Sequence, residues 1–329
     1  MIRVLYCLPD GTVRYDLKPE EFGAALQNEQ GLLWVDFDNT SIEVDEPILL
    51  NTFRFHPLAV DDALRESHVP KVDDWESYVY IVLHSVVFDQ QAGDQVNTLE
   101  LDVFLGHNFI VTHHDASIAA IERVWTASQR DERHRKGGPD HLLYKLTDEI
   151  VTDYMPVVEE MDDAIDSIEN QIFSRPTPAT LERLFGLKRA VARLRRILGP
   201  QREVLNKLAR DDYAMIDARD RVYFRDVYDH LVRLHDITES LRDLVGGALD
   251  TYLSVINNRM NDVMKTLTII TTLFMPLAFV TGFFGMNFFQ PTTAALDPWT
   301  SLPVFAIALA IILLIPAGMY FWMRRRGWM

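Results

Sequence analysis

Residues 265–287 carry a polar series at helical spacing inside an otherwise apolar run. At alternating steps of three and four residues, Gly282, Ala278, Met275, Thr271, Thr268 and Met264 fall on one stripe. The stripe continues through Asn261, Asn257, Ser254 and Asp250. Hydroxyls, amides and a carboxylate in register are oxygen acceptors, the chemistry that suits a hard cation or the water around it. Bond-making chemistry has no comparable signal. There is no glycine-rich phosphate loop, nucleophile elbow or HExxH pattern, and no nucleophile–base pair can be assembled from the chain. A membrane helix with one small-or-polar seam uses it to pack on other helices or to line water. From the residues themselves both uses are open.

A second candidate is the run His113, His114, Asp115. Neighbouring residues on a strand point to opposite faces, so the two imidazoles cannot share one ion without a bend. An ordinary strand end is the expectation.

The seam needs a membrane-spanning helix to carry it. Residues 267–286 form an uncharged stretch of twenty, enough to cross a hydrocarbon core of about 30 Å. A second uncharged run, 302–323, ends in Arg324, Arg325 and Arg326. The two spans and the polar loop between them make a hairpin with both ends on one side. The three arginines and Lys265 place that side in the cytoplasm, and Trp299, Trp322 and Trp328 suit the interfaces. Pro276 removes one backbone hydrogen bond, a break that spanning helices tolerate.

Upstream, no proline occurs from 201 to 275. Helix from Tyr213 to the end of the first span would extend roughly 110 Å. Most of it must project into a soluble compartment, where a helix so long needs neighbours; self-association of identical helices supplies them economically. Residues 136–212 read as a helical hairpin with segregated charge. Nine acidic residues and no basic one lie in 148–169, and seven basic residues and no acidic one in 183–202. Mutual attraction of two antiparallel helices is the simple expectation.

Residues 1–135 read as a mixed α/β domain. Strands are expected at 2–7, 13–17, 32–37, 78–88, 99–105 and 109–112, with helices at 19–29, 46–53, 58–66 and 117–131. Residues 105–109 look like a hairpin turn. The start of the chain lacks the basic region and apolar run of a signal peptide, so this domain is expected to stay where it is made. A net charge of −16 argues against a nucleic-acid partner and is compatible with attraction of cations. The lone Cys7 excludes an internal disulfide framework and is expected in the core.

Gly285, Met286 and Asn287, at the end of the first of two C-terminal spans, resemble the signature of the CorA family of divalent-cation channels. The likeness is wider than three residues. Residues 261–288 resemble the family's pore helix almost throughout, and YFRDVYDH (223–230), LDTYLS (249–254), HPLAVDD (56–62), PKVDDWESYVYIVL (70–83) and LLYKLTDEIVTDY (142–154) follow the family pattern in order.

The resemblance implies a homopentamer in the inner membrane, with a cytoplasmic α/β funnel and both termini cytoplasmic. The division is 1–135 for the α/β domain, 136–212 for the hairpin and 213–286 for the stalk helix ending in the first span. A 287–301 outer loop, a 302–323 second span and a 324–329 basic tail complete it. By resemblance Asn287 forms an outer ring that contacts the waters of a hydrated Mg²⁺, and Gly285 and Met286 complete the selectivity motif. Gly282, Met275, Leu267, Met264, Asn261 and Asp250 match pore positions, with Met264 and Leu267 as an apolar gate. Asp61, Asp62, Asp148 and Asp226 match acidic positions where cytoplasmic Mg²⁺ bridges subunits and holds the closed state. Mg²⁺, with Co²⁺ or Ni²⁺, is the implied cargo.

Two departures qualify the likeness. Phe284 stands where the family commonly has tyrosine, and the loop lacks the usual paired glutamates, leaving Asp297 as its only charge. The Zn²⁺-transporting ZntB-like branch also has a loop poor in acids, which makes proton-coupled Zn²⁺ transport the main alternative. A non-conducting membrane-anchored sensor or scaffold is a third reading, disfavoured because an anchor has no need of the polar seam.

Overall fold

The computed structural model describes residues 1–65, 69–91, 93–286 and 301–327. They fall into two compact units, Met1–Tyr252 and Leu253–Met329.

The first unit is built on seven strands: β1 (Ile2–Cys7), β2 (Val13–Arg14), β3 (Leu32–Asp38), β4 (Lys71–Asp74), β5 (Val79–Asp89), β6 (Gln95–Leu105) and β7 (Phe109–His114). They form one sheet in the order β2-β1-β3-β7-β6-β5-β4. All neighbours are antiparallel except β3 and β7, which run parallel with Phe37 opposite His113. β5, β6 and β7 follow one another as hairpins because their β-branched and aromatic runs are separated by turns, the second at Gly106.

Helices cover both faces. α1 (Pro19–Leu26), α2 (Ile42–Pro47), a π-helical turn at Ile48–Thr52 and α3 (Pro57–Arg65) lie on one side. Their Phe22, Leu49, Phe53, Ala59 and Val60 pack with Val35, Phe37, Tyr80, Phe104 and Val111 of the sheet. The other side meets α4 (Ala119–Arg130), α6 (Pro139–Thr152), α7 (Tyr154–Ser174) and α8 (Pro178–Arg210), with the short α5 (Arg133–Lys136) between α4 and α6. Trp34 of β3 meets Trp125 of α4 edge-on at 4.7 Å. The first part of α9 (Arg221–Gly285) buries Phe224, Val227, Leu231, Leu234, Thr238, Leu241, Val245, Ala248 and Tyr252. That alternation of three and four residues is the seam of a helix packed lengthwise on other helices.

The charged hairpin differs from expectation in two respects. Its acidic arm is two helices, α6 and α7, which meet at Asp153, where Arg123 binds both Glu149 (2.6 Å) and Asp153 (2.7 Å). Among the described residues no ion pair joins α7 to α8; Arg183 binds Asp94, and Arg195 binds Glu239 of α9. The two helices instead bury Val158, Met161, Ile165 and Ile168 on one arm and Leu187, Val191, Leu194 and Leu198 on the other. Apolar burial contributes more here than exposed charge, because solvent screens a surface pair to at most about 1 kcal/mol. The turn between them is set by Thr177, whose hydroxyl accepts the Thr180 N–H (3.3 Å) ahead of Pro178 at the first helical position. The long helix starts at Arg221, later than Tyr213.

The second unit consists of the C-terminal part of α9 and of α10 (Leu302–Arg325). Both helices are long and apolar enough to cross a membrane. α9 continues through Pro276, as a spanning helix can.

Candidate functional site

The seam of α9 lies on one exposed side of the helix. Met264, Leu267, Thr268, Thr271, Met275, Ala278 and Gly282 are all exposed, whereas Ile269, Thr272, Leu273, Pro276, Leu277 and Val280 are partly covered. The covered side faces α10: Val280, Thr281, Phe284 and Gly285 share a groove with Val304, Phe305, Ala308 and Ile312. At 100° per residue the seam is centred roughly 160° from that covered side. Within the hairpin, α10 therefore takes the apolar face of α9 and leaves the polar one open. Asn261, Asn257 and Asp250 are exposed as well.

Local hydrogen bonding gives the seam its polarity. The Thr268 hydroxyl donates to the Met264 carbonyl and the Thr271 hydroxyl to the Leu267 carbonyl, both at 2.8 Å. The hydroxyl proton is used inside the helix, and the oxygen lone pairs face outward. A row of acceptors suits a hydrated cation, whose bound waters point their hydrogens away from the metal. It suits a bare one poorly, since Mg²⁺ gives up water reluctantly.

The four aspartates form two pairs. Asp61 and Asp62 adjoin on α3, and each has a cation of its own unit: Arg65 reaches Asp61 at 2.7 Å and Lys71 of β4 pairs with Asp62. Asp148 of α6 and Asp226 of α9 sit near one another. Burial holds the Asp148 carboxyl above the ordinary aspartate range; Lys145 and His230 offset part of this, and Glu149 and Asp226 add to it. Tyr144, stacked on Tyr223 at 4.8 Å, is raised by burial first and then by both aspartates. Repelling carboxylates beside half-buried aromatic rings favour an arriving cation.

A further acidic trio, Asp140, Asp217 and Asp220, was not singled out in the sequence; its carboxylate oxygens lie within 4.8 Å of one another. Asp140 accepts the backbone N–H groups of His141 and Asp217 at 3.0 and 2.9 Å, and Asp220 lies 2.9 Å from the His141 ring. These bonds tie the start of α6 to the segment before α9.

Residues 29–325 match the family described as CorA-like Mg²⁺ transporter protein. The chain belongs to the CorA family. The cobalt/magnesium transport protein CorA of Thermotoga maritima is 39% identical over 241 residues, 72% of this chain and 67% of that protein. The zinc transport protein ZntB of Yersinia pseudotuberculosis is 24% identical over 298 residues, 90% of this chain and 88% of its own length. The complete structure of the CorA magnesium transporter from Methanocaldococcus jannaschii matches 100% of this chain and 99% of its own, with a TM-score of 0.81 at 24% identity. That likeness shows the fold: an N-terminal α/β domain, a long helix and two apolar C-terminal helices. Membership of the CorA family, with those two helices, makes the chain a membrane protein and a transporter of divalent cations, not an enzyme.

Gly285 ends α9 and Met286 follows it, whereas Asn287 and residues 288–300, Trp299 among them, lie outside the described residues, as does Trp328. Arg324 and Arg325 close α10 and Arg326 caps it, with the Arg326 guanidinium 5.6 Å from the Trp322 ring centre. Lys71, Arg65 and His230, the basic partners of the four aspartates, were missed from the sequence. Two of them had a readable signal, since Asp61–Arg65 and Asp226–His230 are both spaced four apart, one helical turn.

Proposed function

We propose that five copies of the chain assemble with the α9 seams facing a common axis and conduct hydrated Mg²⁺ across the cell membrane, with Co²⁺ and Ni²⁺ as further cargo. The observation that carries this reading is the acceptor-lined side of α9 turned away from α10. A spanning helix that served only as an anchor would have no use for Asn257, Asn261 and Asp250 in register with Thr268 and Thr271. In the assembly these residues, with Met275, Ala278 and Gly282, line the path. Met264 and Leu267 form its apolar constriction, and Gly285, Met286 and Asn287 form the outer ring that holds the cation through its waters.

In this reading both termini are cytoplasmic and Arg324, Arg325 and Arg326 sit at the inner surface. Cytoplasmic Mg²⁺ regulates the same channel. Bound between Asp61 and Asp62 of one subunit and Asp148 and Asp226 of the next, it relieves carboxylate repulsion and holds the closed arrangement. Its loss at low internal Mg²⁺ lets the subunits rearrange and the path open. Zn²⁺ transport is the second reading, favoured by the likeness to ZntB over 90% of the chain and by a loop whose only charge is Asp297.

The test is flux into liposomes loaded with ion-specific dyes, with Mg²⁺, Co²⁺, Ni²⁺ and Zn²⁺ supplied in turn, with and without a pH gradient. The first reading expects Mg²⁺ entry that needs no pH gradient and slows when Mg²⁺ is enclosed on the cytoplasmic face. Zn²⁺ entry that requires the gradient, without Mg²⁺ entry, would select the second.

A further inference from the structure

A cavity of about 570 Å³ opens between α8 and the β5–β6 ribbon, and none of the residues that the transport reading uses lines it. Three guanidinium groups do: those of Arg189, Arg193 and Arg196 of α8. At 100° per residue the three fall within about 60° of arc, so they share one face of the helix. The facing wall is formed by Gln95, Val96 and Thr98 of β6. Among the described residues no carboxylate lines the cavity, although the chain has 48 acidic residues against 32 lysines and arginines. Elsewhere on the same helix Arg183 is matched by Asp94 and Arg195 by Glu239. Among the described residues Arg189, Arg193 and Arg196 have no such carboxylate partner.

The walls are held at both ends. At one, Gly186 of α8 approaches the β5–β6 turn so closely that a Cβ there would stand 2.6 Å from the Gly93 carbonyl oxygen, and Arg183 holds the buried Asp94 at 3.1 Å. At the other, one turn beyond Ile197, the Gln201 amide accepts the His84 backbone N–H at 2.9 Å and donates to the His84 carbonyl at 3.2 Å. Between them Arg193 Nη1 donates to the Val96 carbonyl at 2.9 Å, which anchors that fork and leaves its other N–H donors for a ligand. The bay is formed before a ligand arrives, so binding requires little reorganisation.

We propose that this cavity binds linked phosphates, as carried by a nucleoside di- or triphosphate or an inorganic polyphosphate. A planar guanidinium fork matches phosphate oxygens two at a time, and three forks without carboxylates leave an excess of positive charge for an anion to neutralise. From Arg189 to Arg196 is about 10 Å along the helix axis. Phosphates joined in a row can meet all three forks at that spacing, whereas a single phosphate meets fewer of them. The volume lies within the usual range for small-molecule sites and exceeds what the phosphates alone would fill. Val96, Ala190 and Ile197 offer an apolar wall to an attached organic group, and Gln95 and Thr98 offer polar groups to orient it.

The test is equilibrium dialysis of the full chain in detergent, stripped of divalent metal so that no phosphate is held through Mg²⁺ on the aspartates. The expected result is one ATP per chain, with ADP close behind and AMP and inorganic phosphate weaker by about tenfold or more. Arg189→Gln and Arg196→Gln are each expected to lower ATP affinity by about tenfold or more, since each removes a charge-assisted fork. Arg202→Gln removes the same charge from the other side of α8, roughly 180° from Arg193, and should leave binding unchanged. ATP binding tighter than tripolyphosphate assigns the apolar wall to an organic group, and equal binding assigns the site to polyphosphate alone; both support it. No saturable binding of either at millimolar concentration overturns the proposal, and is the result expected if neighbouring subunits cover the arginines. Equal losses in Arg202→Gln and Arg189→Gln, or inorganic phosphate binding as tightly as ATP, overturn it too.

Discussion

Lys71 of β4 forms an ion pair with Asp62 of α3, and the same ammonium lies 3.3 Å from Asp73. One carboxylate proposed to bind regulatory Mg²⁺ thus already has a cation in its own subunit. Burial lowers the Lys71 pKa, but Asp62 and Asp73 outweigh it and hold the ammonium above the ordinary lysine value, so it stays charged across the physiological range. An arriving Mg²⁺ must compete with it. Lys71→Met is expected to lower the Mg²⁺ concentration that protects the protein from proteolysis by about fivefold, the equivalent of roughly 1 kcal/mol for one partly exposed pair. A protection curve that shifts the other way would show that Lys71 helps to form the bound state.

The aspartates themselves should act in the opposite direction. Asp62→Ala and Asp226→Ala are each expected to weaken Mg²⁺ protection in limited proteolysis, because each removes an anionic ligand from the proposed intersubunit Mg²⁺ site. Protection identical to the wild type in both variants would remove the intersubunit sensor from the account.

Two neighbouring threonines of α9, about 100° apart around the helix, separate a water-lined seam from a packing one. Thr271 is exposed on the seam, whereas Thr272 is partly covered. Valine keeps the shape and deletes the acceptor. Thr271→Val is expected to cut Mg²⁺ flux by about tenfold or more, since a symmetric assembly loses a whole ring of acceptors worth about 1 kcal/mol each. Thr272→Val should leave flux near the wild-type rate. Equal effects, measured in liposomes at matched protein content, would mean that the seam packs and does not conduct.

The α/β unit has its own pH response. Burial works against a charged His114, but Asp36 3.3 Å away, the Ala116 carbonyl and Asp38 outweigh it and raise its pKa above the ordinary 6.5. A group whose pKa is raised by folding contributes stability that is complete below its unfolded value and is lost as pH climbs through the folded one. The wild type is therefore expected to lose thermal stability as pH climbs above the ordinary histidine value, and His114→Gln to lose less over the same interval. Parallel melting curves for the two proteins would show that the Asp36–His114 pair does not titrate as its surroundings imply.

Much of this arrangement was legible in the residues. The five longer strands announce themselves by Val, Ile, Phe and Tyr, and the spanning helices by the absence of charge. β4 was missed because Lys-Val-Asp-Asp has none of the usual strand composition; it is an edge strand, held by backbone pairing to β5. The break at Asp153 had a signal that went unread: Pro156, three residues on, lacks the N–H that a continuing helix would need and sits in the first turn of α7. The seam was readable because a helix repeats locally. The meeting of Asp148 with Asp226 was not, since it depends on how α6 packs on α9, and only the family likeness pointed to it.

The most direct test of the account is Mg²⁺ flux through Asn287→Ala, measured in liposomes beside the wild type. The substitution deletes the amide proposed to meet the hydrated ion and leaves the seam residues of α9 unchanged. The account predicts loss of Mg²⁺ and Co²⁺ entry with normal assembly and normal Mg²⁺ protection of the α/β unit. Unchanged flux in Asn287→Ala would contradict it.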